Sequence, residues 1–272
     1  MRASFSKIAI VLLLAGALPA GNAAAADTLR VGGTGTAIGM LQQVGAQFTA
    51  ATGVKVEVVP SLGSTGAIRA LSDGWLDIAI PTRPLKSDEL AAGLRQVEVL
   101  RTAYVIATSH SSPNGLKSAD LAGIFSAEKP AWTDGAPIRI ILRPRNDSDT
   151  ALLAELFPGM GAAIETARLR AELPTAATDQ DNAEMAERTP GSLVGTTATQ
   201  LKTEHRNLRI VPLDGVEPTL ANFENGIYRF VKKLYFVVPR ASSDEAQQFM
   251  DFLASPPGVK ALRETESLPV AE

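Results

Sequence analysis

Residues Arg143 to Phe157 read Arg-Pro-Arg-Asn-Asp-Ser-Asp-Thr and then Ala-Leu-Leu-Ala-Glu-Leu-Phe. Two arginines, Arg143 and Arg145, stand ahead of Ser148, Asp149 and Thr150, and a run of good helix formers follows. Ser, Asp and Thr are favoured helix N-caps, and Glu155 falls well inside the helix they would start. A helix start exposes unpaired backbone N–H groups and a partial positive charge. Free N–H donors, hydroxyls and guanidinium forks together suit a small oxygen-bearing anion. The same residues also describe an ordinary capped helix with solvated arginines, so the stretch gains weight only if similar turns join it.

The elements that must position this stretch are a strand before it, Ile138-Arg-Ile-Ile-Leu142, and a helix after it. Two earlier turns repeat the design. Thr28 to Val31 is a short strand, followed by the small-residue turn Gly32-Gly-Thr-Gly-Thr36, with Thr34, Gly35 and Thr36 at its end. Ile38, Leu41, Val44 and Phe48 then recur at helical spacing, and Gly53 closes the helix. Val54 to Val59 alternates apolar and polar residues and reads as a strand. A second turn, Pro60 to Gly66, carries Ser64 and Thr65 and opens a helix over 67–73; Leu76 to Ile80 is a third strand. Strand, helix, strand, helix, strand predicts α/β with a parallel sheet. In such a sheet, turns of this kind share the carboxyl ends of the strands, where ligands bind. Neither turn carries Gly-Lys-Ser/Thr, and neither has Gly-x-Gly-x-x-Gly spacing, so nucleotide fingerprints are missing.

Thr82 and Arg83 follow the third strand, and Arg83 either faces the same end or pairs with an acid. Val97 to Ala107 is an unusually long extended run, long enough to leave one sheet and enter another. Leu208 to Leu213 offers a second crossing, and Tyr228 to Pro239 is strongly β-leaning with Lys232 and Lys233 at its centre. Helices are expected over 87–94, 162–173, 181–188 and 242–253. Segments on both sides of a middle block predict two α/β lobes, 27–105 with 213–272 as lobe I and 106–212 as lobe II.

The first residues are basic, then apolar from Ile8 to Leu18, then small up to Ala26. That is the pattern of a secretory signal peptide, 1–26, with an Ala-x-Ala exit. No cysteine occurs, so attachment of lipid to one is excluded and the exported chain is expected free in the periplasm without disulfides. Losing Arg2 and Lys7 moves the formal charge from −3 to −5. An acidic chain with one basic turn argues against nucleic acid as a partner. His110 and His205 stand alone in polar loops, so no metal site, thiol chemistry or cofactor is expected. Gly-x-Ser-x-Gly around Ser148 is missing, and no base is visible for Ser148 or Thr36 as a nucleophile.

With these residues in hand, the chain resembles the phosphate-type solute-binding proteins of ABC importers, of type II periplasmic-binding-protein fold. The resemblance rests on Gly63-Ser-Thr-Gly-Ala-Ile68, Thr82-Arg-Pro-Leu85, Leu121-Ala-Gly-Ile-Phe125, Pro137-Ile-Arg-Ile-Ile-Leu-Arg143 and Ser148-Asp-Thr150. It continues through Pro190-Gly-Ser-Leu-Val-Gly195, Leu213-Asp-Gly-Val-Glu-Pro218, Tyr228 and Leu234-Tyr-Phe236, in order and over nearly the whole exported chain. It implies mixed, mostly parallel sheets flanked by helices in two lobes with a ligand cleft between them. It also implies capture of inorganic phosphate, or a close tetrahedral oxyanion, by a monomer that delivers it to an inner-membrane permease. The matching ligand residues are Thr36, Ala37, Ser64, Ser148, Asp149 and Thr150. The sequence departs from the pattern at three places. Thr82 replaces the aspartate that accepts a ligand proton. Pro144 stands at the usual arginine, so Arg143 or Arg145 must serve, with Arg143 preferred. Asp149 replaces glycine, and a carboxylate there repels an anion unless it turns toward a cation. These departures leave open a sensor or adaptor with altered anion binding, and, further off, a periplasmic phosphohydrolase; no enzyme is expected.

Overall fold

The computed structural model describes residues 28–60 and 62–270; the expected signal peptide lies outside the described residues. The chain begins β1 (Thr28–Gly33), α1 (Gly35–Thr52), β2 (Lys55–Val59), α2 (Gly63–Ser72), β3 (Ile78–Ile80). β1 pairs in parallel with β2 and β3, as the alternation of elements predicts. The buried face of α1 is Ala37, Met40, Leu41, Val44 and Phe48, a helical period laid on the sheet. Gly53 ends it at φ 82°, a left-handed conformation that costs glycine little.

After α3 (Ser87–Ala91) comes β4 (Leu94–Thr108), the long strand the sequence predicts. The middle of the chain follows as α4 (Leu121–Ser126), β5 (Arg139–Ile140), α5 (Ser148–Leu156), α6 (Met160–Ala167), α7 (Asp179–Arg188), β6 (Ser192–Thr197), α8 (Ala198–Thr203) and β7 (Arg209–Val211). The chain closes with α9 (Leu220–Glu224), β8 (Val231–Pro239), α10 (Asp244–Ala254), α11 (Pro256–Glu264) and β9 (Ser267–Pro269). The helix expected over 87–94 is shorter, because Gly93 turns at φ 87° and Leu94 already pairs with β8. The helix expected over 162–173 starts earlier and stops at Ala167, where a tightened turn runs Arg170 N–H back to Ala167.

The strands form one mixed sheet in the order β2-β1-β3-β8-β4-β6-β5, with β7 and β9 also on β4. β4 is its spine. Leu94 to Ala103 pair antiparallel with β8, while Tyr104 to Thr108 pair with β6 and β7. Helices pack on these ladders around separate cores. One gathers Leu29, Val31, Phe48, Ile78, Phe236 and Phe249, with the rings of Phe48 and Phe249 edge-on at 5.1 Å. A second gathers Ile140, Leu153, Phe157, Leu193, Phe223 and Phe230 with Tyr104 and Tyr228, and a smaller third lies under α2 around Ile68, Leu71, Leu76 and Val237. Residues 213–230, expected with the first lobe, therefore send Phe223, Tyr228 and Phe230 into the second core. Two bonds hold that segment there: Tyr228 donates its hydroxyl to the Tyr104 carbonyl (2.8 Å), and Tyr104 N–H donates to the Phe230 carbonyl (2.9 Å).

Candidate functional site

The carboxyl ends of β1, β2 and β3 lie side by side, so the turns after them share one edge. Thr34 N–H donates to the Ile80 carbonyl (3.0 Å) and Leu62 N–H to the Gly33 carbonyl (3.1 Å). This edge places Ser64 at the start of α2 against Thr82: their hydroxyls are 3.0 Å apart, and Thr82 N–H donates to the Ser64 hydroxyl at 3.0 Å. Thr65, in the same turn, is exposed. Thr34, Thr36 and Ala37 are buried at the start of α1, and Gly35 between them runs hard against the middle of the chain. A Cβ on Gly35 would lie 2.6 Å from the Asp179 side chain.

α5 brings the second half of the site. Its cap is Asp147, not the expected Ser148, Asp149 or Thr150. Asp147 is extended (φ −75°, ψ 143°) and its carboxylate accepts Asp149 N–H at 2.9 Å, so the three expected caps fall inside the first turn. Thr150 donates back to the Pro144 carbonyl (2.9 Å) and closes the turn. The arginines separate cleanly. Arg143 is buried and donates to Asp147 (2.8 Å), Asp179 (3.3 Å) and the Ala176 carbonyl (3.2 Å). Arg145 turns outward onto Glu165. Arg83 takes the acid: it forms a two-pronged pair with Glu89 (2.7 and 2.8 Å), and that hydrogen bond, opposed by partial burial, holds Glu89 down at about 2.

The two halves meet at buried charges. Asp179, the first residue of α7, accepts Thr36 N–H (2.8 Å) and the Thr34 hydroxyl (3.2 Å) on one oxygen and Arg143 on the other. Lys232 of β8 is 1% exposed; its ammonium donates to the Thr36 hydroxyl (2.9 Å) and forms a tight ion pair with Asp149. Burial disfavours every one of these charges, and mutual pairing decides where each settles. Burial pushes Asp149 up to about 6, because Lys232 offsets it only in part and Asp179 and Asp147 add repulsion. For Asp179 the burial penalty is outweighed by Lys232, Arg143 and the Thr36 and Thr34 donors, so it sits below the usual carboxylate range. Lys232 is likewise raised despite burial by Asp149 and Asp179, and Arg143 by Asp179 and Asp147. The cluster thus sets two cations against Asp147, Asp149 and Asp179.

Sequence reasoning brought Thr34, Thr36, Arg143 and Asp149 to one place and missed Asp147, Asp179 and Lys232. Lys232 was findable. In Val231-Lys-Lys-Leu-Tyr-Phe236, strand alternation puts Lys232 on the face of Leu234 and Phe236 and Lys233 on the other. A lysine on the apolar face of a strand needs a buried acid, and Asp149 is that acid. Asp179 carries no such mark, since Asp at a helix start is ordinary. Among the described residues no group of His, Asp and Glu could hold a metal ion, and no helix is long and apolar enough to cross a membrane.

The fold is shared with solved structures. One is described as a phosphate ABC transporter substrate-binding protein from Clostridium perfringens with bound phosphate (17% identity, TM-score 0.76, 90% of this chain and 100% of that one). Another is an ABC-type phosphate transport receptor from Vibrio cholerae (15%, TM-score 0.60, 89% and 99%). A third is the periplasmic molybdate-binding protein of Azotobacter vinelandii (13%, TM-score 0.59, 90% and 99%). At these identities the likeness fixes the fold alone. No curated protein matches the chain. The PBP superfamily domain matches residues 18–257, nearly the whole length. With two α/β cores joined through β4 and buried polar groups meeting between them, the chain belongs to the PBP superfamily domain family.

Proposed function

We propose that the chain is a periplasmic solute-binding protein that captures inorganic phosphate, or a close tetrahedral oxyanion, between two lobes for an ABC importer. One observation carries this. Thr36 N–H at the start of an 18-residue helix, the Thr34 hydroxyl and the buried Arg143 guanidinium converge on a single pair of oxygens, those of Asp179. Neutral donors plus one guanidinium, in a place that excludes water, are what an oxyanion needs in exchange for its hydration. Ser64 and Thr82 supply further hydroxyls on the same strand edge. The solved neighbours named for phosphate and molybdate support the ligand class by analogy. The two cores support lobes that divide near residue 103 on β4 and near 230 before β8, and closure about these two crossings is the expected motion. The protein is free of the membrane, monomeric, partnered by an inner-membrane permease and not an enzyme. Among the described residues no histidine pairs with Ser148 or Thr36: His110 pairs with Asp134 and stacks on Trp132, and His205 is exposed.

Calorimetric titration with phosphate, sulfate and molybdate tests the proposal. Arg143→Ala should weaken binding by about ten- to a hundredfold, the worth of a hydrogen bond to a charged group. Failure of both the wild type and an Asp179→Asn variant to bind any of the three sinks it. A sensor or adaptor with altered binding is the second reading, favoured by one fact: a protein carboxylate already sits on the donors.

A further inference from the structure

The oxyanion donors are occupied. Thr36 N–H and the Thr34 hydroxyl give their hydrogen bonds to Asp179, which is 6% exposed, and Arg143 divides its guanidinium among Asp179, Asp147 and the Ala176 carbonyl. This contact is not needed by the helix that bears Asp179. α7 is capped by its neighbours: Thr178 accepts Asp181 N–H (3.0 Å), and Asp181 accepts Thr178 N–H (3.1 Å). Asp179 instead reaches across to α1, whose buried face belongs to the other core. The same crossing is closed on either side. Gln180 donates to the Gly35 carbonyl (3.0 Å), Gln43 to the Thr203 carbonyl (3.3 Å), and Lys232 joins Thr36 to Asp149.

We infer that Asp179 is a specificity-determining residue of this site: a tethered carboxylate that takes the oxyanion's seat, holds the lobes shut without ligand and must be displaced for an anion to enter. The inference rests on the oxyanion reading above. Two observations argue against binding beside Asp179. On the Gly35 side there is no room, since even a methyl group there would meet the Asp179 side chain at 2.6 Å. Charge forbids it too. The cluster already holds one more carboxylate than cations, and an added dianion would stack negative charge in a buried place. Exchange eases both: Asp179 stands at the first position of α7 and can swing outward while the cap holds, and a dianion in its place adds one negative charge to the cluster where binding beside it adds two. A tethered group competes at a high effective concentration, so a free anion is bound only if it outmatches a carboxylate on these donors. Apparent affinity falls by the fraction of molecules with the seat vacant. Anions of carboxylate-like strength are thereby rejected, and tetrahedral anions with more acceptor oxygens are favoured.

The test is titration of phosphate, with sulfate in parallel, into wild type, Asp179→Asn and Gln180→Ala, with a melting curve for each as the folding control. Asp179→Asn keeps the shape and removes the charge, so phosphate should bind about tenfold tighter or better. Gln180→Ala loosens the same crossing without vacating the seat and should tighten binding by a smaller factor. Equal or weaker phosphate affinity in both variants overturns the inference while leaving the oxyanion reading in place. Absence of any oxyanion binding in wild type and both variants removes that reading, and this inference with it. If Asp179→Asn does not fold, Gln180→Ala decides by the same criterion.

Discussion

Lys232 points its amine from a strand face otherwise made of Leu234 and Phe236, and its partners are Asp149 and the Thr36 hydroxyl. Removing one member of a buried pair strands the other, at about 3–5 kcal/mol. Lys232→Ala should therefore cost that much in urea unfolding, and the Lys232→Met, Asp149→Leu double variant should recover most of it. Asp149 also makes stability pH-dependent. Its folded value, about 6, lies above its ordinary 3.8, so the native state binds the extra proton between these values. Stability from this group is then fully present below its unfolded value of 3.8 and is lost as pH rises through about 6, by on the order of 3 kcal/mol. Asp149→Asn should abolish that fall. Unfolding midpoints from pH 4 to 7 that run parallel in wild type and variant would contradict the assignment.

At the scale of elements, the start of α1 is shaped for close approach. Gly35 sits in ordinary helical space, so the backbone tolerates alanine; the obstacles are Asp179 and Gln180 on α7. Gly35→Ala should cost about 1–3 kcal/mol by overpacking, more than the small helical gain. In an Asp179→Ala, Gln180→Ala background the penalty should largely vanish. A penalty of the same size in both backgrounds would show that something other than the α1–α7 contact is crowded. Much at this scale is legible in sequence. The periods of α1 and β2, the glycine stop at Gly53 and the polar turns after β1 and β2 are local facts of φ, hydrogen bonding and side-chain spacing. The cap of α5 slipped by one residue because Asp147, Ser148 and Asp149 are near-equal caps by type, and only the extended backbone at Asp147 chooses among them.

For the molecule as a whole, β4 does the joining: 15 residues that pair with β8 at one end and with β6 and β7 at the other. Its length was visible in the sequence. The second crossing was not, because the apolar run at 208–213 and the β-leaning run from 228 look equally extended until Tyr228 and Phe230 find the second core. A ligand that binds only the folded, closed form raises stability by mass action, about 2.7 kcal/mol at a hundred times its dissociation constant. Phosphate at saturating concentration should accordingly raise the melting temperature, and chloride at equal ionic strength should not. Equal shifts with both salts would point to screening of the charged surface and away from a seat between lobes.

The sequence by itself determined the α/β order, the long crossing strand, and the hydroxyls and glycines at strand ends that make an anion seat plausible. These depend on neighbours within a turn or two, which the chain carries with it. Tertiary structure alone decided that Arg143 faces inward and Arg145 outward, that Asp149 turns to Lys232, and that Asp179 accepts from Thr34, Thr36 and Arg143. Those partners lie 83 residues apart for Asp149 and Lys232 and 143 for Thr36 and Asp179. Which buried charge meets which is settled by how the two cores dock, and desolvation makes every alternative pairing costly only once docking has removed the water.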